Sequence, residues 1–238
     1  MTQLLASVTS VSEAAIALAG GADIIDLKNP AEGALGALSL KTIREIVAFV
    51  DGRVPVSATI GDLPMQPAVV SEMVIKTAET GVDIVKIGLF GHAGHADCIN
   101  AISALTRTGT QVVAVLFADD LPDFGVLPAL SNAGFYGAML DTANKGKGRL
   151  LDCLASNTLS TFVSATKALG MLSGLAGSLR AEDVLELAPI APDYLGFRGG
   201  LCLDDDRNMT FDRERLMKIT RLLQKYNSGA REAATFAF

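Results

Sequence analysis

Short hydrophobic runs recur along the chain at intervals of roughly 20 to 30 residues, and a segment with helical periodicity follows each run. The runs are rich in valine, isoleucine and leucine, which is typical of strands buried on both faces of a parallel sheet. The eight runs are LLASV near Leu4, DIIDLK from Asp23, VPVSAT from Val54, DIVKIG from Asp83, QVVAVLF from Gln111, GAMLD from Gly137, LGMLSGLAG from Leu169 and YLGFRGG from Tyr194. Eight alternating βα units predict an α/β protein with a single (β/α)8 barrel, or TIM barrel.

The segments between the strands carry the start and stop signals of helices. Ser10 precedes VSEAAIALAGG as an N-cap, and Gly20 and Gly21 follow the last helical residue. We expect one domain over residues 1–238, with a loosely attached tail, SGAREAATFAF, from about residue 228. An open doubly wound sheet is the competing architecture, but no GxGxxG motif follows the first strand.

The phrases GGADIIDLK, TGVDIVKIG and NAGFYGAMLD each put a polar residue at the carboxyl end of a predicted strand, where a barrel keeps its active site. Because side chains alternate between the faces of a strand, Asp26, Lys28 and Lys86 should point into the barrel. Asp141 ends the sixth strand, and Lys145 follows it in the loop DTANKGKG. Crowding and desolvation of these lysines predict a neutral amine that attacks a carbonyl and forms a Schiff base.

A structural ion pair is the alternative interpretation of a strand-end lysine. Lys28 would then pair with an aspartate two residues earlier, Asp26, and close the barrel. Two inward lysines on separate strands favour a functional site instead, since buried ionisable groups are costly and cluster where chemistry occurs.

Glycine-rich segments follow the seventh and eighth predicted strands, the position at which this fold commonly binds phosphate. Glycine lets backbone amides approach an anion closely, and an arginine adds a charge-assisted contact. The residues that we expect to bind substrate phosphate are Ser173, Gly174, Gly177, Arg198, Gly199 and Gly200. The alternative is that these glycines only permit tight turns.

Composition limits the partners. The net charge of −6 and the pI near 4.9 argue against nucleic acid or an anionic membrane surface as a partner. No apolar stretch reaches the roughly 18 residues of a spanning helix, and no signal peptide opens the chain, so we expect a cytoplasmic protein. The separated cysteines, Cys98, Cys153 and Cys202, predict neither a disulfide framework nor a metal site.

Two further clusters invite a metal interpretation. His92 and His95 lie close together in GLFGHAGHADC, but no third ligand stands at a suitable spacing, so we expect loop histidines and no metal. The acidic run from Asp204 to Asp206 resembles half a cation site but is more typical of a solvated loop. We expect no cofactor.

Several blocks resemble one known family. They are LLASVTSVSEAAIALAGGADIIDLKNPAEGALGA, GVDIVKIGLFG, GAMLDTANKGKGRLLD and YLGFRGGLC, and together they extend from about Leu4 to Asn208. These blocks are similar to the (5-formylfuran-3-yl)methyl phosphate synthases, also called 4-(hydroxymethyl)-2-furancarboxaldehyde-phosphate synthases. DIIDLKNPAEGALGA is the most specific of them.

The resemblance implies a carbon–oxygen lyase that condenses two molecules of glyceraldehyde 3-phosphate into a furan aldehyde phosphate, with loss of phosphate and water, in methanofuran biosynthesis. It implies Lys28 as the Schiff-base lysine, although Lys86 could replace it as nucleophile. Asp26, Asp141 and Lys145 match the family's remaining catalytic positions.

Two other functions stay open at this point. One is a different lysine-dependent aldolase that acts on a phosphorylated sugar, and the other is a non-catalytic protein that binds phosphorylated metabolites. Apolar helix faces make a homo-oligomer plausible under each of these interpretations.

Overall fold

Eight parallel strands close into a barrel in the computed structural model, which describes residues 1–235 apart from the side chains of Lys145 and of 230–235. The strands are β1 (Gln3–Val8), β2 (Ile24–Leu27), β3 (Val56–Thr59), β4 (Ile84–Gly88), β5 (Gln111–Phe117), β6 (Gly137–Asp141), β7 (Leu172–Leu175) and β8 (Tyr194–Phe197). Each strand pairs with the next in the sequence, and β8 returns to pair with β1. The predicted (β/α)8 barrel is confirmed.

Helices cover the outside of the barrel. They are α1 (Val11–Ala19), α2 (Leu40–Val50), α3 (Pro67–Ala78), α4 (His95–Arg107), α5 (Leu127–Asn132), α6 (Leu150–Cys153), α7 (Ser156–Ala168), α8 (Val184–Leu187) and α9 (Arg213–Thr235). Ser10 caps α1 by accepting the backbone N–H of Glu13 at 3.2 Å, as its position before the helix predicts. Gly20 ends α1 and lies against Leu216 of α9, and a side chain there would collide with that leucine.

The alternation of side chains along β2 and β4 follows the sequence prediction. Ile24 and Ile84 belong to the apolar cluster inside the barrel. The residues that pack outward against the helices are Ile25, Leu27, Val85 and Ile87. Asp26, Lys28 and Lys86 therefore share the inward face with Ile24 and Ile84.

Three aspartates stand immediately before a strand, at the amino end of the barrel. Each accepts the backbone N–H of a residue on the preceding strand through its Oδ2 atom. The bonds join Asp23 to Leu4 at 2.8 Å, Asp83 to Val56 at 2.7 Å and Asp193 to Ser173 at 2.8 Å. These bonds satisfy backbone N–H groups near the amino ends of the strands that the ladder of the sheet leaves unpaired.

The long last helix α9 bears on two predictions. The expected loose tail from about residue 228 overlaps the end of α9, and the chain from residue 236 lies outside the described part, so its attachment stays a prediction. No helix within residues 1–235 combines the length and the apolar character that crossing a bilayer requires.

The three cysteines of the sequence form no disulfide within the described chain. Cys98 and Cys202 are buried, and Cys153 is half-buried.

Candidate active site

A cavity of about 560 Å³ opens at the carboxyl end of the barrel. Its floor is formed by residues of the strands, and its wall by the loops that follow β2, β6, β7 and β8. The inward lysines and aspartates of the sequence prediction that line this cavity are Asp26, Lys28, Lys86 and Asp141. Their exposed fractions are 1%, 6%, 3% and 4%, so all of them are removed from bulk solvent.

Lys28 and Asp141 form an ion pair across the mouth. The Nζ atom of Lys28 lies 3.0 Å from Oδ2 of Asp141, whose Oδ1 atom accepts the backbone N–H of Thr142 at 2.7 Å. Because β2 and β6 stand on opposite sides of the ring of eight strands, this contact spans the mouth of the barrel. A small carbonyl compound bound to Lys28 would therefore lie beside the Asp141 carboxylate.

Lys86 and Asp26 form a second and deeper pair. The Nζ atom of Lys86 lies 2.6 Å from Oδ1 of Asp26. Ser7 donates its hydroxyl to Oδ2 of Asp26 and Ser57 donates to Oδ1, both at 2.7 Å. The two serines face Asp26 from β1 and β3, the strands that pair with β2, so the barrel register holds the carboxylate on both sides.

This arrangement changes the chemistry of Lys86. Burial lowers the pKa of Lys86 below its ordinary value, and the positive charge of Lys28 lowers it further, while Asp26 and Asp141 act in the opposite direction. Desolvation is the largest of these effects because the charged ammonium loses its hydration inside the barrel. Lys86 is therefore a lysine whose neutral form is more accessible than in water.

The ion pair between Lys28 and Asp26, which was the alternative interpretation of a strand-end lysine, does not form. Both lysines instead take their carboxylate from another strand. Side chains two residues apart on one strand are separated by roughly 6.5–7 Å along it, which favours partners from other strands. Lys145 begins a short 3-10 turn after β6, and because its side chain lies outside the described atoms, its role in the site stays a prediction.

The structure separates the predicted phosphate-binding residues into two groups. Ser173 and Gly174 do not reach the cavity, because both lie within β7 rather than beyond it. Ser173 donates its hydroxyl to Asp193 at 2.8 Å at the amino end of the barrel. Gly174 leaves room for the ring of Tyr194, which a side chain at that position would overlap.

Gly177 and Gly199 line the cavity, and Gly200 lies against the backbone of Leu179, so their role in phosphate binding stays a prediction. Gly177 has a φ of +115°, and the following residue, Ser178, has a φ of +51°. Within the described chain, the backbone N–H groups of Ser178 and Gly199 donate to no protein acceptor. Amides of this kind at the ends of β7 and β8 are suited to an anion.

Arg198 also lines the cavity, but its guanidinium is largely occupied. It donates to Glu13 from Nη1 at 2.6 Å and from Nη2 at 3.1 Å. Further bonds run from Nη1 to the Ser7 carbonyl at 3.2 Å and from Nε to the Arg207 carbonyl at 2.9 Å. Four of the five donors of this arginine therefore tie the loop after β8 to the barrel, and one N–H remains for a ligand.

Sequence reasoning missed several residues of the cavity. Those beyond the predicted set that bear polar or charged side chains include Ser7, Arg149, Asp152, Ser178, Arg180 and Arg207. The run from Asp204 to Asp206, interpreted as a solvated loop, also lines the mouth. Ser7 could have been found from its place at the end of the first strand, whereas the loop residues carry no local signal.

The two histidines lie away from this cavity. His92 approaches Asp120 at 3.6 Å, and Nε2 of His95 lies 3.1 Å from the Phe90 carbonyl. Histidine, cysteine and carboxylate side chains form no group of three suited to a metal ion in the described residues.

Fold and site together define a (β/α)8-barrel enzyme with paired lysines and aspartates at the carboxyl end. The family model of 4-HFC-P synthases matches residues 4–220. The chain belongs to this family, which confirms the resemblance found in the sequence.

Relatives match over most of their length. A protein of Methylorubrum extorquens is 42% identical over 224 residues, which cover 93% of this chain and 92% of the relative. The (5-formylfuran-3-yl)methyl phosphate synthases of Methanopyrus kandleri and Methanothermobacter thermautotrophicus are 37% and 35% identical, with 91% and 94% of this chain and 96% and 99% of the relatives covered.

Solved structures share the fold at low identity. 3-Hexulose-6-phosphate synthase from Salmonella typhimurium has a TM-score of 0.69 at 16% identity, with 94% of this chain and 100% of that chain covered. Phosphoribosyl anthranilate isomerase from Thermus thermophilus has a TM-score of 0.67 at 15% identity, with 94% and 99% covered. At this identity the likeness supports the barrel alone.

Proposed function

We propose that this chain condenses two molecules of glyceraldehyde 3-phosphate into (5-formylfuran-3-yl)methyl phosphate through a lysine Schiff base. The observation that carries the proposal is the presence of two buried lysine–aspartate pairs in one cavity. Its volume of about 560 Å³ lies within the range of sites for small molecules. Family membership supports the product, and the buried amines support the mechanism.

One glyceraldehyde 3-phosphate first isomerises to the ketone by loss of a proton at C2 and gain of a proton at C1, and Lys28 then attacks the ketone carbonyl. Asp141, at 3.0 Å from the Lys28 amine, takes the proton that the ammonium must lose. The same carboxyl group then returns the proton to the carbinolamine hydroxyl, which leaves as water. The product of this step is an iminium ion on Lys28.

Lys86 is the base for the next step. The iminium acidifies the neighbouring carbon, and the neutral amine of Lys86 removes a proton from it to form an enamine. The lowered pKa of Lys86 makes its neutral form available, and Asp26 stabilises the ammonium that results. The enamine carbon then attacks the aldehyde of the second triose, whose oxygen takes the proton back from Lys86.

Closure of the furan ring completes the atom balance. Hydrolysis of the iminium breaks the bond to Lys28 and consumes the water that was released when the iminium formed. Two trioses lose one phosphate and two molecules of water in total to give the product. Because carbon–oxygen bonds break when phosphate and water leave, the overall reaction is that of a carbon–oxygen lyase. The backbone amides of Ser178 and Gly199 are suited to the phosphate that the product retains.

Incubation with glyceraldehyde 3-phosphate alone tests the reaction. We expect a product with the mass and the absorbance of the furan aldehyde phosphate. Another phosphorylated product under these conditions would favour the alternative aldolase. The absence of any product would contradict the proposal.

Reduction with borohydride in the presence of substrate tests the covalent step. We expect peptide mapping to find the reduced adduct on Lys28 and to find none in Lys28→Arg, because a guanidinium does not form the imine. Lys41→Arg, which changes an exposed lysine on α2, is the matched control. An adduct on Lys86 would exchange the roles of the two lysines, and no adduct at all would favour a binding protein.

A further inference from the structure

The cationic side chains of the cavity differ in how their charge is balanced. Among the described side chains, six lysines and arginines line it, and five of them have a carboxylate oxygen within 4 Å. The five pairs are Lys28 with Asp141 at 3.0 Å, Lys86 with Asp26 at 2.6 Å, Arg149 with Asp183 at 2.9 Å, Arg180 with Asp205 at 3.8 Å and Arg198 with Glu13 at 2.6 Å. In the described part of the chain, Arg207 alone among the six has no carboxylate partner.

Arg207 is nevertheless held in place. Its Nη2 atom donates to the carbonyl of Pro30, in the loop that follows Lys28, and its own carbonyl accepts the Nε–H of Arg198. The Nη1 atom is buried and has no hydrogen-bond partner in the described structure. A buried charged donor without an acceptor is costly, so the described residues leave the charge of this guanidinium incompletely balanced.

We propose that the guanidinium of Arg207 binds a substrate phosphate at the side of the mouth where Lys28 and the loop after β2 meet. The identity of the ligand as a triose phosphate rests on the proposed function. Arg207 would be a substrate-binding residue that selects phosphorylated aldehydes and orients the triose attached to Lys28.

The surroundings explain why one arginine is required. Asp204, Asp205 and Asp206 lie in the same wall, and the whole chain carries a net charge of −6. A phosphate dianion entering the mouth therefore needs a local cation whose charge is not already neutralised. The planar guanidinium offers parallel N–H donors to phosphate oxygens, which a lysine does not.

Titration with inorganic phosphate, followed by calorimetry, tests the site directly. We expect Arg207→Met to weaken the affected binding site about ten- to hundredfold, as the loss of one charge-assisted contact implies. Arg207→Lys should recover part of the affinity. Arg221→Met, which removes an exposed arginine on α9, is the matched control and should bind phosphate as the wild type does. Unchanged affinity in both Arg207 variants would overturn the proposal.

Kinetics separate this inference from the proposed function. With glyceraldehyde 3-phosphate, Arg207→Met should raise KM by a similar factor, while borohydride trapping of unphosphorylated glyceraldehyde on Lys28 should be unaffected. A wild type that forms no furan product, with phosphate binding still weakened in Arg207→Met, would refute the reaction but keep the phosphate site. Normal product formation with unchanged KM and phosphate affinity would refute the role of Arg207 alone. If thermal melting shows that the methionine variant is unfolded, Arg207→Lys decides by the same titration.

Discussion

Aspartates stand at both ends of the barrel, but the two ends use them in opposite ways. At the amino end, Asp23, Asp83 and Asp193 accept backbone N–H groups that the sheet leaves without a partner. At the carboxyl end, Asp26 and Asp141 are buried against lysine ammonium groups inside a cavity. The first arrangement stabilises the sheet, whereas the second balances the charge of two buried lysines inside the cavity.

The two kinds of contact differ in free energy. A carboxylate that accepts a backbone N–H adds stability, since removal of the acceptor leaves a donor unsatisfied. A buried ion pair loses the hydration of both charges, and this loss offsets most of the attraction. Changes at the amino end should therefore affect folding, and changes at the carboxyl end should affect the reaction.

The largest expected effect is on activity, at the carboxyl end. Lys28→Arg keeps a positive charge next to Asp141 but cannot form the imine, so we expect furan formation to fall by about a thousandfold or more. The free energy of unfolding should change by less than about 1 kcal/mol. Initial rates and urea unfolding measure the two quantities. Substantial residual activity would show that Lys28 is not the nucleophile.

Replacing the deeper pair should remove activity and preserve stability. We expect Lys86→Met combined with Asp26→Leu to stay within about 2 kcal/mol of the wild type, because the removal of two desolvated charges offsets the loss of the acceptor for Ser7 and Ser57. Urea unfolding of the double variant and of each single variant checks this. The single variants should be less stable, since each leaves one buried charge alone. A double variant that is strongly destabilised would show that the pair supports the fold.

At the amino end we expect a substitution to lower stability and to leave activity unchanged. Asp83→Ala leaves the backbone N–H of Val56 without its acceptor, so we expect a loss of about 1–3 kcal/mol in the free energy of unfolding and no change in kcat at a temperature where the protein is folded. Glu45→Ala, on the exposed face of α2, is the control and should change stability by about 0.5 kcal/mol or less. A large fall in kcat for Asp83→Ala would contradict the inference that the aspartates at the amino end affect stability alone.

The smallest effect that we expect is a dependence of stability on pH. Because the pKa of Lys86 is lowered in the folded state, the unfolded chain binds more protons than the folded chain between that lowered pKa and the ordinary pKa of lysine. Stability due to this group is therefore present at high pH and is lost as pH falls through that window. The difference between wild type and Lys86→Met with Asp26→Leu should follow this trend in urea unfolding. A difference independent of pH would contradict a lowered pKa.

Strand alternation alone predicted much of the site. The inward positions of Asp26, Lys28 and Lys86 follow from a period of two residues, and the structure confirms them. The partners of the lysines did not follow, because they depend on which strands face each other across the ring. Ser173 shows the limit of local reading, since its motif resembled a loop but the residue lies inside β7.

The sequence by itself determined the barrel, the strands and the lysines that point inward, because periodicity and strand-end residues are local properties of the chain. Only the tertiary structure decided that Lys28 pairs with Asp141, that Ser7 and Ser57 hold Asp26, and that Arg207 keeps an unpartnered donor. These contacts join residues that are distant in sequence, so they depend on the closure of the sheet and the register of its strands. Closure brings such residues within hydrogen-bond distance, and no local pattern records which of them will meet.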